Sequence, residues 1–146
     1  MPTGKPWTRA LPLWTAAAWA MGLTSLGVFV VPMLFANLPT PSMAGAMAAK
    51  LFAVQTGISV VCALILLLTL WSQKRRVRPA FAEGAIRYVL VGALMALLVE
   101  FGVSPRIIAR ENLALWHGIG SGMYLIQWIC ALVVFGKLAV DRTTPP

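Results

Sequence analysis

The sequence predicts an all-α membrane protein in which four transmembrane helices form an antiparallel bundle. The 146 residues are 60% hydrophobic and only 11% charged, with a mean hydropathy of +0.83, whereas a soluble domain is about a quarter charged. Four stretches each supply the roughly 20 apolar residues that a helix needs to cross a bilayer core of ~30 Å. They lie at about residues 11–35, 41–73, 83–103 and 113–140. Because they use most of the chain, we predict one integral membrane domain over residues 1–146.

Prolines indicate where the first helix ends and the second begins. Pro32 lacks an amide donor, so the last turn of the first helix is expected to be irregular. Thr40 can cap the second helix, and Pro41 suits its first position. The N-terminal segment could alternatively be a signal peptide cleaved near Ala18-Trp19-Ala20. The apolar run continues to Val31, which favours a retained helix.

A third proline marks the end of the third helix. Since a residue before proline disfavours the helical conformation, Ser104-Pro105 is predicted to end that helix. A short amphipathic connection at the membrane surface would then carry Arg106, Arg110 and Glu111.

The distribution of basic residues predicts the orientation in the membrane, because Lys and Arg gather on the cytoplasmic side. With a cytoplasmic N-terminus, nine basic residues are cytoplasmic: Lys5, Arg9, Lys74, Arg75, Arg76, Arg78, Arg87, Lys137 and Arg142. Only Lys50, Arg106 and Arg110 lie outside. We therefore predict a multi-pass protein of a bacterial inner membrane with both termini in the cytoplasm.

The net charge of +8 also follows from the excess of basic residues in the segments predicted to be cytoplasmic. In a soluble protein it would suggest nucleic-acid binding, which we do not expect here. The densest basic run, Lys74, Arg75, Arg76 and Arg78, lies between two helices. Its predicted partner is anionic lipid.

Polar residues within the apolar stretches form a candidate cluster toward the outer leaflet. Its members are Lys50, Glu100, Arg106, His117, Ser121 and Tyr124. Ionisable groups in a bilayer cost about 2.5–3.5 kcal/mol each and usually face the bundle interior in pairs. We predict a contact between Lys50 and Glu100. The alternative is that both side chains reach the interface as solvated anchors.

The fourth helix carries a polar stripe, because His117, Gly120, Ser121, Tyr124 and Gln127 recur at three- and four-residue spacing. One interpretation is a lined pocket in which His117 binds a ligand, metal or proton, since an imidazole changes charge near neutral pH. The other is hydrogen bonding and close packing between helices. The small-residue pairs Gly118/Gly122 and Ala18/Gly22 would serve such packing, within the chain or in an oligomer.

No cofactor or metal is predicted. A single histidine excludes haem held by two histidines of one chain and leaves only a His117 and Met pair. Cys62 and Cys130 lie at similar depth, where soft sulfur ligands suit Cu(I), although buried structural cysteines are the simpler interpretation. Motifs of known enzymes are absent. An intramembrane enzyme built on His117 and Ser121 lacks an evident third group, which Glu100 or Glu111 could supply only if folding brought it close. We therefore predict no enzymatic activity.

Four short motifs follow one another along the chain: Pro32-Met33-Leu34-Phe35 with Asn37-Leu38-Pro39, Lys50-Leu51-Phe52, Ser104-Pro105-Arg106, and His117-Gly118 with Ser121. In this order they resemble the transmembrane protein 205-like family, a group of mostly uncharacterised four-helix membrane proteins also catalogued as a domain of unknown function. The similarity covers about residues 14–134. The matching positions are Pro32, Phe35, Pro39, Lys50, Phe52, Pro105, Arg106, His117 and Ser121. Tyr124 stands where such proteins more often carry a small amide residue. Some bacterial members are described as similar to copper-resistance proteins and a eukaryotic branch is linked with drug resistance, so the resemblance implies transport or metal tolerance only loosely.

Two functional hypotheses follow. The leading one is a scaffold or modulator without enzymatic activity, with a homo-oligomer or another membrane protein as partner and the polar cluster as its working surface. The second is a small transporter, channel or metal-tolerance protein. A scaffold should keep the cluster satisfied and sealed, whereas a transporter should expose it to a cavity.

Overall fold

A computed structural model describes residues 6–74 and 79–143, with side chains described for residues 10–72 and 82–140. Every described element is helical. In chain order the elements are α1 (Pro6–Thr24), the π-helical segment π1 (Ser25–Val30), α2 (Val31–Asn37), α3 (Pro41–Lys74), α4 (Pro79–Leu98), the π-helical segment π2 (Val99–Val103), α5 (Ser104–Ile108) and α6 (Leu113–Thr143).

These elements form four spans, and each is long and apolar enough to cross a membrane. Within the described residues the spans are Ala10–Asn37, Pro41–Ser72, Ala82–Ile108 and Leu113–Val140. The first and third spans each pack against the second and the fourth. The predicted fold class, a polytopic four-helix bundle, is therefore confirmed. We call the end holding the start of α1 and the end of α6 the terminal end, and the end holding residues 38–40 and 109–112 the distal end.

Two of the spans contain a π-helical segment immediately before a proline. In π1 the amide of Val31 donates to the carbonyl of Leu26, five residues back, and Pro32 follows. In π2 the amide of Ser104 donates to the carbonyl of Val99, and Pro105 follows. A proline ring clashes with the carbonyl four residues earlier in an α-helix, and the wider π turn moves that carbonyl aside. The irregular backbone of the first span therefore precedes Pro32, whereas the last turn, which was predicted to be irregular, belongs to the regular helix α2.

The helix boundaries differ from expectation at one place. Thr40 caps α3 as predicted, since its Oγ1 accepts from the amide of Met43 at 3.3 Å and α3 begins at Pro41. Pro105, however, does not end the third helix, which continues through α5 to Ile108. The prediction was wrong because proline fits the first turn of a helical segment, and π2 lets α5 begin anew at Ser104.

The closely packed core lies in the half of the bundle nearest the terminal end. Trp19 is fully buried in this core, which contains small residues such as Ala16, Ala63 and Ala131 beside leucines and valines. Gly92 faces Trp19 across the bundle axis, and a Cβ on Gly92 would lie 2.7 Å from Cη2 of that indole. One large ring thus fills the axis that small residues leave open.

A buried polar layer lies distal to this core. Gln127 donates through Nε2 to Oγ of Ser59 at 2.9 Å, and Ser59 donates to the carbonyl of Gln55 at 2.8 Å. All three side chains are buried. Because α3 and α6 lie diagonally across the bundle, this hydrogen bond ties its two opposite corners together.

We expect Gln127→Leu to lower the free energy of unfolding by about 0.6–1.7 kcal/mol, the range of interhelical hydrogen bonds in membranes. Ser59→Ala should have a similar effect. The double variant should lose little more than either single variant, because all three lack the same bond. Reversible unfolding in mixed detergent micelles, followed by circular dichroism, measures these differences. Strictly additive losses would mean that the two side chains act independently.

A candidate ligand cavity

The distal half of the bundle contains a cavity of about 540 Å³ that is partly open to the molecular surface and to which all four spans contribute. It extends from Leu23 and Trp128 at its floor to Phe35, Ile108 and His117 toward the distal end. Leu23 and Phe35 are 12 positions apart, or ~18 Å at the rise of an α-helix. Phe35 and Ile108 are 50% and 70% exposed, so the cavity reaches the molecular surface at this end.

Small residues and π turns create the space. On α3 the lining positions Gly45, Ala48, Ala49 and Phe52 recur at three- and four-residue spacing, which places them on one helix face. Three of the four are small. The π segments enter from opposite corners, with Gly27 and Val28 from π1 and Val99, Glu100 and Val103 from π2. π turns occur frequently at functional sites.

The floor of the cavity is fixed by internally satisfied polar groups. The hydroxyl of Tyr124 donates to the carbonyl of Leu23 at 2.7 Å. Nε1 of Trp128 donates to Oγ1 of Thr24 at 2.8 Å, and that hydroxyl donates to the carbonyl of Ala20. Phe52 and Tyr124 meet edge to face, with ring centroids 5.3 Å apart. These contacts hold the aromatic rings in place before any ligand enters.

Four other polar side chains line the cavity without a protein partner. They are Glu100, Ser104, His117 and Ser121. Within residues 10–72 and 82–140 none of the four forms a hydrogen bond or ion pair through its side chain. A carboxylate in a membrane span costs about 2.5–3.5 kcal/mol on insertion scales. The cavity therefore contains polar groups that are available to a ligand.

The cavity unites four of the six residues predicted as a polar cluster. Glu100, His117, Ser121 and Tyr124 lie on its wall. Lys50 does not, because successive residues turn by 100° and Lys50 points about 140° away from the lining face of α3. Lys50 is exposed and makes no ion pair with Glu100 in the described part of the chain. The predicted contact between these two residues is wrong.

Arg106, the sixth residue, lies on the outer surface of the distal end. Its guanidinium is 3.7 Å from Oε2 of Glu111 and stacks 4.5 Å from the ring centroid of Trp116. Arg110 donates to Oγ of Ser42 at 3.4 Å. Arg106, Arg110 and Glu111 thus make a charged surface at this end, although Arg106 belongs to α5 rather than to the predicted connection.

Glycine positions show what sequence reasoning missed. The predicted pair Gly118/Gly122 faces open space, whereas Gly27 lies against Tyr124, and a Cβ on Gly27 would lie 2.9 Å from Cε1 of that ring. Gly120 lies similarly close to Val103. Thr24 and Trp128 were not predicted as site residues either. Thr24 and Trp128 lie on different helices, so no spacing in the sequence indicates that they meet in the packed structure.

The other predicted residues do not take part in this cavity or lie outside the described residues. Cys62 and Cys130 are buried thiols in the half of the bundle nearest the terminal end, away from the cavity lining. Among the described residues no three His, Cys, Asp or Glu side chains converge as metal ligands would. The proposed lipid site at Arg75, Arg76 and Arg78 lies outside the described residues, and the side chain of Lys74 is also outside them.

Comparison with known proteins places the chain in a family. Residues 14–115 match the family described as "Domain of unknown function (DUF4149)", whereas His117, Ser121 and Tyr124 lie beyond the match. No curated protein and no solved structure matches significantly. The resemblance to the transmembrane protein 205-like family stays a prediction. With more than half of its length matched, this four-span membrane protein belongs to the uncharacterised DUF4149 family.

Proposed function

We propose that this protein binds an amphiphile, a molecule with an apolar chain and a polar head, in the distal cavity. One observation carries the proposal: an apolar cavity of about 540 Å³ also presents Glu100, His117 and Ser121 without protein partners among the described side chains. Ligand pockets typically measure about 300–1,000 Å³ and combine apolar walls with a few convergent polar groups. A bilayer supplies amphiphiles to such a cavity at high local concentration.

The cavity favours binding over a purely structural role. A scaffold that used the polar cluster only for packing would leave these groups sealed and hydrogen-bonded. Tyr124 is satisfied in this way, whereas Glu100, His117 and Ser121 face the cavity. The cavity also ends on the distal side of the Gln127–Ser59 hydrogen bond and of the core that contains Trp19. Binding and presentation of a ligand therefore account for the geometry better than an open channel does.

We propose a role without catalysis. A serine nucleophile needs a base within hydrogen-bond reach and a third group that orients this base. Ser121, His117 and Glu100 share the cavity, but no hydrogen bond joins any two of them in the described part of the chain. Their arrangement suits contacts with a polar head group.

The charge distribution supports a bacterial inner-membrane location with cytoplasmic termini. Counted along the sequence alone, nine of the 12 Lys and Arg residues fall in segments on the same side of the membrane as the predicted N-terminus, and basic residues favour the cytoplasmic side. In this orientation the cavity serves the outer leaflet, and the basic run between the second and third spans meets anionic lipid of the inner leaflet. A partner protein or a second copy could receive the ligand at the distal end.

A cavity-filling substitution tests the proposal. Gly45 lines the cavity with open space around its Cβ position, so Gly45→Phe should occupy the cavity without a clash. We expect this variant in lipid nanodiscs to lose at least about 90% of its labelling by a neutral photoreactive dodecyl amphiphile, a tenfold loss of affinity being about 1.4 kcal/mol. Peptide mapping should place the wild-type label on α3 and α6.

Gly57→Phe is the matched control. Gly57 lies on the same helix, has equally open surroundings and does not line the cavity. It should keep wild-type labelling. Equal labelling of both variants, or wild-type label spread evenly over the lipid-facing surface, would contradict the proposal.

A further inference from the structure

Glu100 is the acidic residue of the cavity, and its surroundings lack a matching positive charge among the described side chains. It is half-buried in π2 and lines the cavity. Glu111 is paired with Arg106 at the distal surface. Glu83, near the start of α4, does not line the cavity. Any ligand head group that enters therefore meets one carboxylate.

The nearby basic residues are turned away or engaged elsewhere. Lys50 lies on another face of α3, and Arg106 contacts Glu111 and Trp116. Arg110 contacts Ser42 outside the cavity. His117 shares the cavity but forms no ion pair with Glu100 within the described residues. A carboxylate in such a setting favours a ligand that brings its own positive charge.

The aromatic residues of the lining also favour a cationic ligand. Phe52, Tyr124 and Trp128 surround the floor with rings held by the contacts described above. The faces of aromatic rings attract cations, most strongly in tryptophan. An anionic head group would meet the Glu100 carboxylate in a cavity whose aromatic residues offer it no compensating positive charge, so the cavity disfavours it.

We infer that the amphiphile bound in this cavity is cationic, an aliphatic amine or quaternary ammonium compound whose head pairs with Glu100. This inference rests on the proposed function, since it specifies the ligand of the same cavity. The apolar chain would occupy the space beside Gly45 and Ala48, and Ser121 and His117 would contact the remaining polar part of the head.

Competition between matched amphiphiles tests the inference. Dodecyltrimethylammonium, dodecanol and dodecanoate share one chain length and differ in the charge of the head. Each is titrated against the neutral photoreactive dodecyl probe on the wild-type protein in phosphatidylcholine nanodiscs. We expect the cation to compete at a concentration about tenfold lower than the alcohol, and dodecanoate to be the weakest. This ranking is measured on the wild-type protein and depends on no variant.

Glu100→Gln should bring the cation and the alcohol to within about twofold of one another, a ratio of two competitors that does not depend on how tightly the variant binds the probe. Glu111→Gln makes the same charge change outside the cavity and should keep the tenfold preference. A wild-type protein that labels in the cavity without preferring the cation would overturn the inference and leave the proposed function intact. A preference that survives Glu100→Gln would also overturn it. If no amphiphile competes and Gly45→Phe changes nothing, the proposed function fails and this inference fails with it.

Discussion

Trp19→Ala is expected to lower the free energy of unfolding by about 3 kcal/mol. The indole is fully buried on the bundle axis, and half of the other residues in its core cluster are Ala or Cys, whose side chains cannot reach into the space it would leave. Since unfolded helices stay in lipid, the loss comes mainly from missing packing contacts rather than from transfer to water. We therefore place it at the lower end of the range for large aromatic truncations. Reversible unfolding in mixed micelles measures the difference.

Two companion variants separate packing from other effects. Trp14 is 70% exposed on the same helix, so Trp14→Ala should change stability by less than about 0.5 kcal/mol. Nε1 of Trp19 has no hydrogen-bond partner among the described residues. Trp19→Phe should consequently cost much less than Trp19→Ala, because it retains an aromatic ring and removes an unsatisfied donor. Equal losses for Trp14→Ala and Trp19→Ala would show that Trp19 does not organise the core.

The sequence sufficed for the number and positions of the spans, because each needs about 20 apolar residues and this requirement is visible without knowing the packing. The start of α3 was equally predictable, since the Thr40 cap is a local interaction. Depth along the bundle axis could also be counted from the chain. Glu100, His117 and Ser121, which such counting places near one end of the bundle, line one cavity in the structure.

The face that each helix turns toward the bundle interior was not predictable in the same way. α3 is apolar nearly all round, so its sequence gives little indication of which face turns inward. Lys50 lies on a face of α3 that does not line the cavity, and the sequence did not indicate this face. The cavity itself depends on two π segments on different spans. Pro32 predicted irregular backbone and Pro105 predicted a helix end, but neither predicted the space between the helices.

Small-residue pairs illustrate the same difficulty. Gly118/Gly122 and Gly92/Ala96 have the same four-residue spacing. The first pair has nothing within 4 Å of either Cβ position, whereas Gly92 lies against Trp19 and Cys130. The pattern permits close approach of helices, and only the packed structure shows where such an approach occurs.

Gly92→Ala should reverse the usual effect of replacing a helical glycine. Alanine normally stabilises a helix by about 0.5–1 kcal/mol relative to glycine. At position 92, however, the added Cβ would lie 2.7 Å and 3.0 Å from two atoms of the Trp19 ring, and 3.3 Å from Cβ of Cys130. Because the ring is enclosed on all sides, we expect a net loss of about 1–3 kcal/mol. Unfolding in mixed micelles again provides the measurement.

Gly122→Ala is the matched control, because Gly122 lies within a helix and has open space around its Cβ position. It should leave stability unchanged or raise it by up to about 1 kcal/mol. The contact can then be tested directly with Trp19→Phe, which removes the ring atoms nearest Gly92. The Trp19→Phe/Gly92→Ala double variant should be more stable than the sum of the two single effects predicts, by at least about 0.5 kcal/mol. Additive losses would mean that the two residues are not in contact, and the tight axis that closes the bundle beneath the cavity would then have to be built from other side chains.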